Sequence, residues 1–382
     1  MRIIILLSAF LIVFGLVGFY VYKRIIQAFS KIIKNPKTVF PVYFFLLFSF
    51  FLGKIIEFFS INIISIALVK IGSILISYFL YTLIIIVFID IIRLINKIIP
   101  LYPKFIKSNY QKTKLIIGIS SFIIVSAIVS YGYINALSPK IKKLNIVINK
   151  NENGFKELNI VAVSDIHLGI SVNKRKTKKL IKKINKLKPD LVIFGGDLID
   201  ENIKVVEYFN LLKYFKNIKS KYGVYSCMGN HEYISRAYKD LNYYEENGIN
   251  MLRDTAVKIQ DKFYIISRDD ISGINISGTK RKTLKDLTKN IDLKLPVILL
   301  DHQPCELEKT ADYAIDFQFS GHTHNGQVWP FNYITGMIFE EDWGYLKKKN
   351  THFYISSGYG TAVIPIKICS DAEIVNIKII NK

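Results

Sequence analysis

Leu158-Asn159-Ile160-Val161-Ala162-Val163-Ser164-Asp165-Ile166-His167 is the stretch whose reading decides the fold of the larger part of this chain. An apolar, β-branched run of strand length stops at an Asp-x-His, so a strand ends where groups able to ligate begin. The same event recurs downstream. Asp190 to Phe194 runs into Gly195-Gly196-Asp197, and Tyr222 to Met228 into Gly229-Asn230-His231-Glu232. Pro296 to Leu300 leads to Asp301-His302-Gln303-Pro304, and Phe317 to Phe319 to Ser320-Gly321-His322-Thr323-His324-Asn325-Gly326-Gln327. Polar, helix-like segments separate these strands, which is the pattern of an α/β domain. Ligands bind at the carboxyl ends of strands in open α/β sheets, so these polar clusters are expected to converge on one face.

The histidines sharpen the expectation. Five of the six, His167, His231, His302, His322 and His324, lie in the clusters beside Asp165, Asp197 and Asn230. One histidine after a strand is ordinarily structural, and His352, which has no such context, is read that way. Five in one arrangement point to metal. Carboxylate, amide oxygen and imidazole without thiolate favour Mn or Fe, with Zn also compatible. The three cysteines, Cys227, Cys305 and Cys369, form no CxxC pair and no disulfide framework, and read as small core residues. Glycines 195, 196, 229 and 321 have two readings, a backbone that must pass close to bound ions and ordinary turn chemistry.

Working outward, residues 1–139 differ in kind from 140–382. The first part holds 14 Lys plus Arg against only Glu57 and Asp90, within long Ile, Leu, Phe and Val runs; the second holds 38 basic and 28 acidic residues. Four transmembrane helices are expected, at Met1 to Tyr22, Val39 to Ser60, Ile71 to Ile92 and Leu115 to Leu137. No turn signal separates the second from the third. Residues 140–157 are expected to be a linker and first strand, and 158–382 the catalytic domain. Basic residues concentrate in the first and third connections, from Lys23 to Lys37 and from Arg93 to Lys114, which makes that side cytoplasmic and the catalytic domain extracytoplasmic. The protein is thus read as a multi-pass protein of the cytoplasmic membrane. The formal charge of +22 invites a nucleic-acid reading, but Lys, Ile and Asn are abundant everywhere and no nucleic-acid module organises the charge. No protein partner is inferable. Lys174 to Lys188 reads as an amphipathic helix with Leu180, Ile181, Ile184 and Leu187 on one face; its lysines are a solvated face or a contact for anionic headgroups.

The ordered series DxH, GGDxxD, GNHE, HQP and GHTHxGQ resembles the five motifs of calcineurin-like metallophosphoesterases, from about Leu158 to Ile379. It looks most like a bacterial branch with N-terminal membrane segments, which shares the Arg268-Asp269-Asp270 and Gly358-Tyr359-Gly360-Thr361 neighbourhoods and Pro365. The resemblance implies an α/β, four-layer αββα sandwich and two divalent metal ions. Asp165, His167 and His324 would hold the first, Asn230, His302 and His322 the second, with Asp197 between them. It also implies hydrolysis of a phosphomonoester or phosphodiester by a hydroxide bridging the ions. His231 would protonate the leaving oxygen or stabilise the transition state. Asp200 matches the acidic partner of that histidine; its other reading is the N-cap of a helix beginning at Glu201. Asn325 stands where many relatives have Gly and is expected to narrow the site mouth. The expected substrate is a lipid-linked or cell-envelope phosphoester, with a nuclease and a catalytically silent membrane scaffold as the alternatives.

Overall fold

The computed structural model describes residues 2–150 and 154–382. The chain forms two compact units, Met1–Tyr131 and Gly132–Lys382.

Among the described residues, four helices are long and apolar enough to cross a membrane: Ser8–Ala28, Pro36–Phe59, Ile63–Ile98 and Tyr110–Leu137. The first passes through Lys23 and Arg24 and ends at Ala28, because basic residues do not interrupt helical hydrogen bonding; the second begins at Pro36, capped by Asn35. The break between the second and third lies at Ser60 to Asn62. Asn62 accepts from the backbone N–H groups of Ile64 and Ser65, and Ser65 Oγ accepts from Asn62 N, a capping box that restarts the helix. Those two helices pack closely. A Cβ at Gly72 would stand 2.3 Å from Phe50 N, and one at Gly53 2.7 Å from Val69 N, the small-residue contact that lets membrane helices approach.

In the larger unit two six-stranded sheets face each other. Naming strands in chain order, the first sheet contains β1 (Lys140–Ile148), β2 (Glu157–Val163), β3 (Leu191–Phe194), β4 (Val224–Ser226), β5 (Asn250–Met251) and β12 (Glu373–Asn381), in the order β1-β12-β2-β3-β4-β5. The second contains β6 (Thr255–Ile259), β7 (Phe263–Ser267), β8 (Val297–Leu300), β9 (Phe317–Ser320), β10 (Gly344–Lys348) and β11 (Thr351–Ile355), in the order β10-β11-β9-β8-β7-β6. Alternation sorts the side chains. Ile160, Ala162 and Ile193 meet Ile265, Leu300, Phe317 and Phe319 between the sheets, whereas Val161, Val163, Val192 and Phe194 turn to helices that include Lys174–Lys186. Tyr264, Ile266, Val297 and Leu299 face Leu284 and Leu287 on the far side. β3 and β8, buried along their whole length, are therefore apolar throughout, and the layers are αββα.

β1 is more than a linker: it pairs in parallel with β12 along its whole length. The last turn of the fourth apolar helix also belongs to this unit. Lys367 N donates to Gly132 O (3.0 Å), and Asn135 Nδ2 donates to Lys367 O (3.1 Å) and Ser370 O (2.8 Å).

Candidate metal centre

β2, β3, β8 and β9 are parallel or directly adjacent in their sheets, and their carboxyl ends deliver the polar clusters to one place. Asp165, His167, Asp197, His322 and His324 all adopt left-handed backbone conformations, with φ between 51 and 73°. Five non-glycine residues in that region around one cleft is strain that the surrounding structure has to hold, on the order of 1–3 kcal/mol each.

Two glycines make the approach possible. A Cβ at Gly321 would lie 1.8 Å from Ser164 Oγ and 2.3 Å from Asp165 Oδ2, and one at Gly229 2.1 Å from Asp197 Oδ1. Close passage of backbone, and not turn conformation, is why glycine stands at these two positions.

The donors fall into overlapping sets. Asp165, His167 and His324 bring ligating atoms within 4.8 Å of one another, as do Asp197, His302 and His322. His167 Nε2 is 3.0 Å from His324 Nε2, and His324 Nε2 is 3.5 Å from Asp165 Oδ1. In the other set His302 Nδ1 donates to Gly195 O (2.6 Å), which fixes its tautomer and leaves Nε2 as the free donor atom, 3.2 Å from both Asn230 Oδ1 and Asp197 Oδ2. His322 Nδ1 is 2.9 Å from Asn230 Oδ1. Asp197 Oδ2 belongs to both, since it also lies 3.9 Å from His167 Nε2. Buried imidazole nitrogens and carboxylate oxygens with chiefly one another for neighbours are what bound cations would satisfy, and neither set includes a cysteine. Of the three cysteines expected in the core only Cys227 is buried, with its Sγ toward Phe194 O; Cys305 is half-buried and Cys369 exposed.

Burial raises the Asp197 carboxyl pKa, but His302, His231 and His167 outweigh it and hold the group well below the usual carboxylate range. His231 shows the converse. Burial lowers its pKa, yet Asp200 and Asp197 raise it to about 9. Asp200 Oδ1 is 3.5 Å from His231 Nδ1 and 3.6 Å from His167 Nδ1. The helix that follows begins at Ile203 and is capped by Asn202, so Asp200 faces the histidines and does not cap.

Some residues that hold the site are silent in the sequence. Glu232 is completely buried and accepts from the N–H groups of Asp197 (3.0 Å), Ile199 (3.1 Å) and Gly229 (2.8 Å), joining two motif loops. Lys367, also fully buried, donates to the carbonyls of Ser357, Gly358 (2.9 Å) and Asp371 (3.2 Å). Burial brings its pKa down to about 8. The turn it clamps sits against the ligand candidates: Gly360 N donates to Asp165 O (2.7 Å), and a Cβ at Gly358 would come within 3.1 Å of His324 Nδ1. Arg268 and Arg281 pair with buried Asp301, immediately before His302, and Asp270 accepts from Gln303 Nε2 at 3.1 Å. Asn325 uses its amide on Cys369 O (3.2 Å). His352 is structural, with Tyr345 OH 2.8 Å from Nδ1 and Val147 O 3.2 Å from Nε2.

The family model of calcineurin-like phosphoesterases matches residues 158–326. A metallophosphoesterase of Bacillus subtilis is 30% identical over 262 residues, covering 64% of this chain and 87% of its own. One of Campylobacter jejuni is 29% identical over 384 residues, 96% of this chain and 95% of its own. A transmembrane protein with a metallophosphoesterase domain from Danio rerio is 28% identical over 270 residues, 67% of this chain and 61% of its own. The four apolar helices and this transmembrane relative associate the protein with a membrane. With its motifs gathered at the strand ends of an αββα sandwich, the chain belongs to the calcineurin-like phosphoesterases, metal-dependent hydrolases of phosphoester bonds.

Proposed function

We propose that this protein is a two-metal hydrolase of a lipid-linked or cell-envelope phosphoester, with residues 1–139 as a four-span membrane part and 158–382, completed by β1, as the catalytic domain. The observation that carries the reading is the position of Asp197 Oδ2 between two donor sets, 3.2 Å from His302 Nε2 and 3.9 Å from His167 Nε2. In this reading Asp165, His167 and His324 hold one cation, Asn230, His302 and His322 the other, and Asp197 both; the nitrogen and oxygen donors favour Mn or Fe, with Zn compatible. Bound cations supply a nucleophile from water at neutral pH and neutralise charge on the phosphoryl oxygens. The protein's own part is to hold and donate. Gly195 O orients His302, Glu232 and Gly229 fix the Asp197 loop, and His231, protonated against Asp200, gives its proton to the leaving oxygen.

The test is a screen of the full-length protein, loaded in turn with Mn, Fe and Zn, against soluble mono- and diesters and membrane-inserted phosphoesters. Chelator-sensitive hydrolysis, fastest on the membrane-inserted class, is expected. No hydrolysis of any phosphoester with metal bound would overturn the reading.

The catalytic domain is placed on the outer face of the cytoplasmic membrane. The basic connections Lys23 to Lys37 and Arg93 to Lys114 support this reading, since four spans would put them on the opposite, cytoplasmic side. Reporter fusions after Leu137 and after Lys382 are expected to be active outside and inactive inside. A cytoplasm-active reporter at either point would reverse the placement.

A further inference from the structure

The helix Phe331–Ile338 has no buried residue. Its amphipathicity is inverted for a soluble domain. Asn332, Thr335 and Phe339, spaced i, i+3 and i+7, are the partly buried positions. Outward stand Phe331, Tyr333, Ile334, Met337 and Ile338, with Met337 85% and Ile338 68% exposed. A contiguous exposed patch of this kind, raised on one short helix beside a ligand-binding loop, marks a contact surface.

The helix is fastened to the metal centre. It follows directly on the loop that carries His322 and His324; a Cβ at Gly326 would collide with Asn332 N at 2.2 Å. Thr323 Oγ1 donates to Asp342 O, Thr335 Oγ1 donates to Asp342 Oδ2, and the Phe339 ring lies 6.0 Å from that of His322. Movement of this helix is therefore movement of the cleft rim.

The same loop is tied to the end of the fourth apolar helix. Residues 366–370 lie between the two. On one side they hold the helix turn 132–137, through Lys367 N to Gly132 O and Asn135 Nδ2 to Lys367 O and Ser370 O. On the other they hold the metal loop: Ile368 N donates to Gln327 O (2.9 Å), Trp329 N to Ile368 O (3.1 Å), and Ser370 Oγ to His324 O (2.7 Å). From Lys174–Lys186, Lys179 Nζ donates to Leu137 O (2.7 Å) and Lys183 Nζ to Pro139 O (3.0 Å). Only Ser138 and Pro139 separate the apolar helix from β1. A lipid surface is thus the apolar phase that the fourth apolar helix, read as membrane-spanning, brings to that point.

We infer that helix Phe331–Ile338 lies in the headgroup and acyl boundary of the bilayer, with Tyr333, Ile334, Met337 and Ile338 in lipid, and that it sets the mouth of the metal cleft against phosphoesters presented by that surface. The contact is of the interfacial kind, in which apolar area on one helix face supplies the binding. Its substrate half rests on the function proposed above; its docking half does not.

The test uses the full-length protein in phosphatidylethanolamine and phosphatidylglycerol nanodiscs, with Cys305 and Cys369 replaced by Ser. A bimane is placed at Met337→Cys or, as control, at Asp261→Cys. The control lies in the turn between β6 and β7, at the sheet edge opposite β10. Lipids carrying a quencher near the headgroup are expected to quench position 337 at least about two-fold more than position 261. Equal quenching at both overturns the docking. The paired variant Ile334→Asp/Met337→Asp is expected to lose about ten-fold on a membrane-inserted phosphoester with an unchanged rate on soluble bis-p-nitrophenyl phosphate; equal change on both overturns the substrate half. Strong quenching at 337 in a protein that hydrolyses neither substrate would sustain the docking and remove the function on which the substrate half rests.

Discussion

Asp197→Asn is expected to abolish nearly all phosphoesterase activity, by about 10³-fold or more, and to lower the metal content below the two ions per chain that the proposed function requires. The substitution keeps shape and removes charge. Asp197 is buried, its Oδ1 accepts from His231 N at 2.8 Å, and its Oδ2 faces His302 and His167. An asparagine oxygen preserves the first contact, so the loop stays folded, while the site loses the one carboxylate that reaches both donor sets. Elemental analysis of protein purified with excess Mn, beside rates on a soluble diester, reads both effects. A variant that keeps two ions and full activity would remove Asp197 from the centre of the mechanism.

His231→Gln is expected to cost about 10²–10⁴-fold on esters with poor leaving groups and to leave metal content unchanged. Leaving groups such as p-nitrophenolate need no proton, so the loss should shrink on their esters. The pH profile carries an independent signature. The folded pKa of His231 is raised to about 9, chiefly because Asp200 and Asp197 outweigh burial. The proton it donates in the proposed mechanism is present below that value and lost as pH rises through it, so the wild-type rate should fall on the alkaline side. Cations bound beside the ring would draw this fall to lower pH. In the glutamine variant that limb should flatten. Metal loss in parallel with rate would make His231 a ligand instead of a proton donor.

The polar clusters could be read from the sequence because each is local: a β-branched run ending in Asp-x-His or Gly-His-Thr-His places its groups at a strand end whatever the rest of the chain does. The four apolar helices were equally legible, since length and hydropathy depend on composition alone. Their ends were less so. Lys23 and Arg24 look like a stop and are not one, and the true break, Asn62 capping itself on Ser65, lies inside an apolar run without Pro or Gly. Asp200 had two readings of equal standing until Asn202 took the cap and left its carboxylate facing His231 and His167.

By itself the sequence determined the strand-end chemistry, the apolar spans and the family, because those are properties of short segments. Only the tertiary structure decided that Glu232 and Lys367 are buried clamps, that β1 closes the first sheet beside β12, and that Asn332 and Thr335 turn inward while Met337 and Ile338 turn out. The physical reason is the same in each case. Burial and pairing are set by partners far away in the chain: Glu232 meets backbone 33 and 35 residues earlier, and β1 meets β12 more than 200 residues later. No local pattern encodes whether such a partner will be there.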